Sequence, residues 1–248
     1  MNSSLDTPVQ YLKGVGPHVA KLLAKIGVKT IYDLIFYLPR DWEDRRSIKP
    51  IAGIRINEDC LIKGKLGKTT LQRTGKGFNI VKAVISDRTG SVCATWFNQK
   101  YLKQAFDKQK GREIFIAGRA EINPYSNGME IAVRDFEVME ADEKEHDAIV
   151  PVYPLTAGLF QKRLRKITKA MLPNYIDEIR DPLPEEIKAQ CDLVPMRQAI
   201  TWLHLPSNFD EVHLARKRLA FDDLFMMQSV LALRRRQVRV EGRGVEFK

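Results

Sequence analysis

Phe97 and Tyr101 lie four residues apart where the alternating run Val92-Cys93-Ala94-Thr95-Trp96-Phe97 gives way to Asn98-Gln99-Lys100-Tyr101-Leu102. Residues at that spacing share a face of a helix, and two flat rings at the rim of a small β-barrel make a platform on which unpaired bases stack. Side chains alternate across a strand. Trp96 therefore groups with Val92 and Ala94 and belongs to a core, while Phe97 falls in with Cys93 and Thr95 on a more polar side. The other use for the pair is a hydrophobic contact that tucks the helix against the barrel. The sequence leaves both readings open.

Lys63, Lys65, Lys68, Arg73, Lys76 and Lys82 crowd the first strand of that region, the stretch after it and the second strand. Cations along a groove beside stacking rings would track a phosphate backbone; on a solvated hairpin tip they would have no ligand. Leu12-x-Gly14-Val15-Gly16-x-x-x-Ala20 has the helix-hairpin-helix pattern. There Gly14 and Gly16 would let backbone N–H groups at a helix start approach a phosphate without reading bases. The alternative is a turn between helices whose glycines permit close packing. Gly67-Lys68-Thr69 lacks the rest of a P-loop, because the glycine required five residues earlier is Ile62. ATP is not expected to bind there.

Nothing else in the chain spaces out a catalytic centre. His18, His146, His204 and His213 show no metal-ligand spacing, and no Gly-x-Ser-x-Gly elbow occurs. Cys60, Cys93 and Cys191, odd in number and far apart, read as thiols in a reducing compartment. No catalytic residue, cofactor or metal is expected in this chain. Lys and Arg outnumber Asp and Glu by 41 to 31, and the charge of +10 favours polyanions through counterion release. The apolar fraction, 44%, is that of a globular chain. Met1-Asn2-Ser3-Ser4-Leu5-Asp6 is no secretory leader, and the longest apolar stretch, Leu224 to Leu233, is too short to span a bilayer. The expected location is cytoplasmic.

The elements that must position these residues follow from periodicity. Up to about Pro50 the pattern is helical: a glycine turn at Leu12 to Pro17, apolar residues Ala20, Leu22, Leu23 and Ile26, then Thr30 capping a helix from Ile31 to Leu38. Five strands are expected at Cys60 to Leu66, Phe78 to Ser86, Ser91 to Phe97, Glu113 to Ile122 and Met129 to Val138. Leu71 to Gly77 reads as a basic loop, while Asp87-Arg88-Thr89-Gly90 and Ser126-Asn127-Gly128 read as hairpin turns. A helix at Lys100 to Lys108 separates strands three and four, which is the order of an OB-fold. The acidic run Glu140 to Asp147 reads as a linker or a solvated face. A basic helix from Gln161 to Leu172 closed by Pro173 comes next, then helices at Glu185 to Gln190, Met196 to Leu203 and Asp210 to Gln237. The fold class is thus α+β: a helical region over 1–50, an OB-fold barrel over 51–140, and a linker with helices over 141–248.

Several stretches together resemble one family. Pro151-Val152-Tyr153-Pro154-Leu155-Thr156-Ala157-Gly158-Leu159 with Gln161-Lys162-x-Leu164-Arg165-Lys166 is one, and Asp33-Leu34-x-x-Tyr37-Leu38-Pro39-Arg40 with Glu43-Asp44-Arg45 another. Phe97-Asn98-Gln99-x-Tyr101-Leu102 and Ala215-x-x-Arg218-Leu219-Ala220-Phe221-Asp222-Asp223-Leu224 complete the set. In this order they resemble the amino-terminal half of the RecG family of ATP-dependent DNA helicases. The resemblance implies a barrel acting as a wedge at stalled replication forks and Holliday junctions, in DNA repair and recombination, with a nucleoid-associated location. It implies that Phe97 and Tyr101 stack on the first bases exposed as the arms part. It also implies a partner motor in cis, using ATP and Mg2+, and single-strand-binding protein as a further partner. The sequence reaches Lys248 with no Walker A lysine or Walker B box, so this chain is not expected to hydrolyse ATP unaided. Two other functions fit an OB-fold that does not dictate its ligand: a protein-interaction adaptor, or an RNA-binding module.

Overall fold

The computed structural model describes residues 4–73, 77–124, 127–139, 148–156 and 158–241. In chain order the elements are α1 (Pro17–Ala24), α2 (Ile31–Ile35), β1 (Asp41–Asp44), β2 (Asp59–Arg73), β3 (Asn79–Ser86) and β4 (Ser91–Phe97). Then come α3 (Tyr101–Lys108), β5 (Glu113–Ile122), β6 (Met129–Val138), β7 (Ile149–Val152), α4 (Gln161–Tyr175), α5 (Glu185–Cys191), α6 (Met196–His204) and α7 (Phe209–Glu241). Where three regions are expected along the chain, contacts gather it into two compact units: Met1–Glu43 with Ile149–Lys248, and Asp44–Ala148.

The second unit is a closed five-stranded barrel in the order β2-β3-β4-β6-β5, with α3 between its third and fourth strands. Ile62, Leu66, Val81, Ile85, Ala94, Trp96, Ile114, Ile116 and Ile131 fill its interior, joined by Leu102 and Phe106 of α3. The strand expected to end at Leu66 runs on to Arg73, and Gly67-Lys68-Thr69 and Leu71 to Arg73 lie within it. The reason is tertiary. Residues 59–65 of β2 pair with β5, and residues 65–73 pair with β3 across a bulge between Leu66 and Thr69. One strand thereby serves two neighbours and closes the barrel. Gly64 permits the tight crossing, since a Cβ there would lie 2.7 Å from Ile85 and 2.9 Å from the Ser86 carbonyl. The turn from Asp87 to Gly90 forms as read, with the Asp87 N–H bonded to the Gly90 carbonyl at 3.0 Å. At the other hairpin Asn127 takes a left-handed φ of 54°; Ser126 and the acidic run 140–147 lie outside the described residues.

The first unit is mostly helical. Thr30 caps α2 as expected, its hydroxyl accepting from the Asp33 N–H at 3.1 Å while the Asp33 carboxylate accepts from Thr30 N–H at 2.9 Å. The helix stops at Ile35 rather than Leu38, because Phe36 already leaves helical geometry at ψ 4°. Pro173 does not close α4, which continues to Tyr175 with the Ile176 N–H still bonded to the Leu172 carbonyl. β1 and β7 form a two-stranded sheet that the sequence pattern does not announce. Within the 151–166 motif, Tyr153 and Gln161 hold the local backbone. Tyr153 is buried, and its backbone N–H and carbonyl bond both ends of the Gln161 amide at 2.9 and 2.7 Å. Arg218 is likewise buried, its guanidinium 2.6 Å from Asp181. The Asp181 carboxylate also accepts from Lys188 and from the Met196 N–H, and so ties α5, α6 and α7. Farther along, α7 exposes Leu224, Met226, Met227, Val230 and Leu233.

Candidate nucleic-acid interface

Phe97 is the last residue of β4 and Tyr101 the first of α3. The helix-face spacing therefore does not bring them together. Between them the chain turns a tight corner: Asn98 takes a left-handed φ of 56°, and its N–H bonds the Asn79 carbonyl at 2.7 Å. Phe97 is 55% exposed and Tyr101 46%, while Trp96 between the flanking positions is 1% exposed. Leu102 and Phe106 are buried, with the Phe106 centroid 4.8 Å from Trp96. The Tyr101 hydroxyl donates to Gln99 Oε1 at 3.0 Å, and partial burial pushes its phenol above the usual range, so it stays a neutral donor.

The barrel's register adds two neighbours that sequence periodicity does not single out. Phe97 pairs with Ile80, and Ile80 with Gln72, making one row across the outer face of β4, β3 and β2. The next row is Thr95, Lys82 and Thr70. Only the register between neighbouring strands reveals these rows.

The cations divide. Lys63 and Lys65 point outward from the first half of β2, and the bulge switches phase so that Lys68 follows them. Arg73 falls in phase with buried Thr69 and thus on the opposite side, beyond the barrel's end, which separates it from Lys68. Lys65 and Lys68 are exposed and have no ion-pair partner among the described residues. Lys63 sits 2.9 Å from the Glu113 carboxylate. Lys82 is more deeply engaged, 2.5 Å from Glu130, which also accepts from Thr95 and Asn123. Burial pushes the Glu130 carboxyl up, but these hydrogen bonds and the ammonium outweigh it and hold it below the usual range. Lys76 lies outside the described residues.

Gly14 and Gly16 differ. Gly14 requires its left-handed φ of 89°, whereas Gly16 is the extended N-cap of α1 with open space at its α-carbon. The element before them is one 3-10 turn, Val9–Tyr11. Gly67-Lys68-Thr69 sits in a paired strand, not in a loop opening a helix, so it cannot cradle nucleotide phosphates. No helix among the described residues is long and apolar enough to cross a membrane.

A family model for the RecG wedge domain matches residues 8–175, well over half of the chain. The chain belongs to the RecG wedge family. Among its relatives, the RecG ATP-dependent DNA helicase of Thermotoga maritima is 35% identical over 224 residues, which is 90% of this chain and 28% of that protein. The Escherichia coli K12 RecG helicase is 28% identical over 240 residues, 92% of this chain and 33% of that protein. A solved structure of RecG bound to a three-way DNA junction superposes with a TM-score of 0.65 at 34% identity, over 96% of this chain and 32% of that one. The RecG wedge chain described here therefore spans about a third of the length of these relatives.

Proposed function

We propose that this chain is the DNA-binding wedge of a RecG-type helicase. It holds branched DNA, stalled forks and Holliday junctions, with Phe97 and Tyr101 stacked on the bases at the branch, so that a motor in cis can strip and reverse the fork during repair and recombination. The observation that carries this reading is the corner at Asn98. It leaves both rings about half exposed, while Trp96, Leu102 and Phe106 are buried in the barrel's core. Lys68, on the outer face of β2, supplies backbone charge in this reading. ATP and Mg2+ chemistry lies outside this chain, and the exposed apolar residues of α7 support a further part of the protein packing there.

The test is binding of fork, Holliday junction and linear duplex by the chain and its Phe97→Ala/Tyr101→Ala variant. Stacking contributes about 1–3 kcal/mol per base, so the variant should bind forks at least about tenfold more weakly. Duplex affinity should stay within about twofold. Equal losses on fork and duplex would remove the rings from the branch. Binding that ignores both branches and salt would instead point to a protein-interaction adaptor.

A further inference from the structure

An open cleft of about 460 Å3 lies at the other end of the same strands. Lys63 and Lys65 of β2, Ser86 at the end of β3, Asp87 and Arg88 of the turn, and Glu113 opening β5 line it. β3 and β4 pair from Ile80 with Phe97 at one end to Ser86 with Ser91 at the other. Six residue steps at roughly 3.3 Å separate the cleft from the rings by about 20 Å. One base cannot touch both.

The charges in the cleft are not equally committed. Lys63 is taken by Glu113 and lies over the Phe115 ring at 5.6 Å. Asp87 spends its carboxylate on the N–H groups of Ile51, Thr89 and Gly90, at 2.9, 2.6 and 2.9 Å, and on the Thr89 hydroxyl. Those donors, led by the Ile51 N–H, pull its carboxyl down to about 2 and staple the turn. The Thr89 hydroxyl in turn accepts from Ala52 N–H at 3.1 Å. Arg88 is thus displayed on a rigid turn. It and Lys65 are exposed and without an ion-pair partner among the described residues.

We propose that this cleft is a second nucleic-acid contact, in which Lys65 and Arg88, with the Ser86 hydroxyl, hold the phosphodiester backbone of a DNA arm about six nucleotide steps from the bases at Phe97 and Tyr101. Its distance from the branch rests on the stacking reading; its chemistry does not. The lining offers cations and a hydroxyl but no aromatic platform, so it grips backbone and reads no base. The guanidinium fork of Arg88 matches two oxygens of one phosphate. The carboxylates of Asp87 and Glu113 at the rim tolerate a singly charged diester better than a doubly charged free phosphate.

Lys65→Ala/Arg88→Ala in the full chain should weaken fork binding about tenfold and flatten the salt slope by about 1.8, the loss of two phosphate contacts. Methylphosphonate linkages about five to seven steps from the branch remove the same charges from the DNA. They should weaken the unaltered chain as much as the double substitution does, and leave the double variant indifferent. Losses that add in full, or an unchanged slope, would overturn the contact. Replacing chloride by inorganic phosphate at equal ionic strength should change nothing. A phosphate-specific loss in the unaltered chain but not in the variant would assign the cleft to the free anion and overturn the proposal. Should Phe97→Ala/Tyr101→Ala cost nothing while the slope still flattens on duplex, the stacking reading fails and the cleft stands.

Discussion

Lys82 and Lys68 carry the same charge on the same face of the barrel, yet their substitutions should report different things. Lys82 is about one-sixth exposed and faces Glu130, itself held by Thr95 and Asn123. Removing its ammonium leaves a part-buried carboxylate short of its cation, a loss of about 1–3 kcal/mol. Lys82→Ala should therefore lower the urea midpoint of the barrel. Lys68 has no such partner among the described residues, so Lys68→Ala should leave that midpoint unchanged and reduce the salt slope of DNA binding by about 0.9. Unfolding curves and salt titrations of both variants separate the roles; a stability loss at Lys68 would contradict its placement on the open face. The difference could not be read from sequence, because Glu130 lies 48 positions from Lys82 and meets it only through the β4–β6 pairing. Strand phase, by contrast, was enough to send Trp96 inward and Phe97 outward. The corner at Asn98 was hidden, since a left-handed asparagine leaves no periodic trace.

Elements with local signals were the legible ones. The capping box of α2 is written in Thr30 and Asp33 themselves, and Thr30→Ala should cost the helical unit about 1 kcal/mol, read as a shifted urea midpoint. Retention of full stability would mean that packing of Ile31, Leu34 and Ile35 alone sets the helix. Ser91–Phe97 alternates cleanly, and its ends, like those of the more apolar Glu113–Ile122 and of Met129–Val138, are recoverable to the residue. β2 was cut short because Gly67 to Arg73 has few apolar residues, and its extension comes from pairing with β3. Pro173 misled for the converse reason. Proline removes its own N–H and disfavours the turn before it, but α4 is held by Leu164, Ile167, Met171 and Leu172 in the core, and that packing carries the helix past it. β1 and β7, four residues each and over a hundred apart, carry no signal that a single-sequence reading could use.

At the scale of the whole molecule the two units have separate cores and should respond differently to acid. His204 is buried in the helical unit, its Nδ1 2.8 Å from the Tyr153 hydroxyl and its Nε2 2.8 Å from the Ile35 carbonyl. The carbonyl can only accept, so Nε2 donates to it. Burial disfavours the charged ring and lowers its pKa from 6.5 to about 4, so near neutral pH the ring is neutral and Nδ1 accepts from Tyr153. The unfolded chain takes up a proton on this ring below its ordinary pKa while the folded unit does not. Its stabilisation is thus complete above pH 6.5 and is lost as pH falls toward about 4. Between pH 7 and 5 that amounts to about 2 kcal/mol. The barrel's stretch from Asp59 to Val138 contains no histidine. Amide exchange should accordingly quicken between pH 7 and 5, after correction for intrinsic rates, in α2, α4 and α6 more than in β3, β4 and β5. His204→Gln, which keeps a neutral side chain at the site, should remove most of the pH dependence even though it lowers stability at pH 7. A uniform acid response across both units, or one untouched by His204→Gln, would show that carboxylates such as Asp181, whose pKa is lowered by its donors despite burial, govern the transition instead.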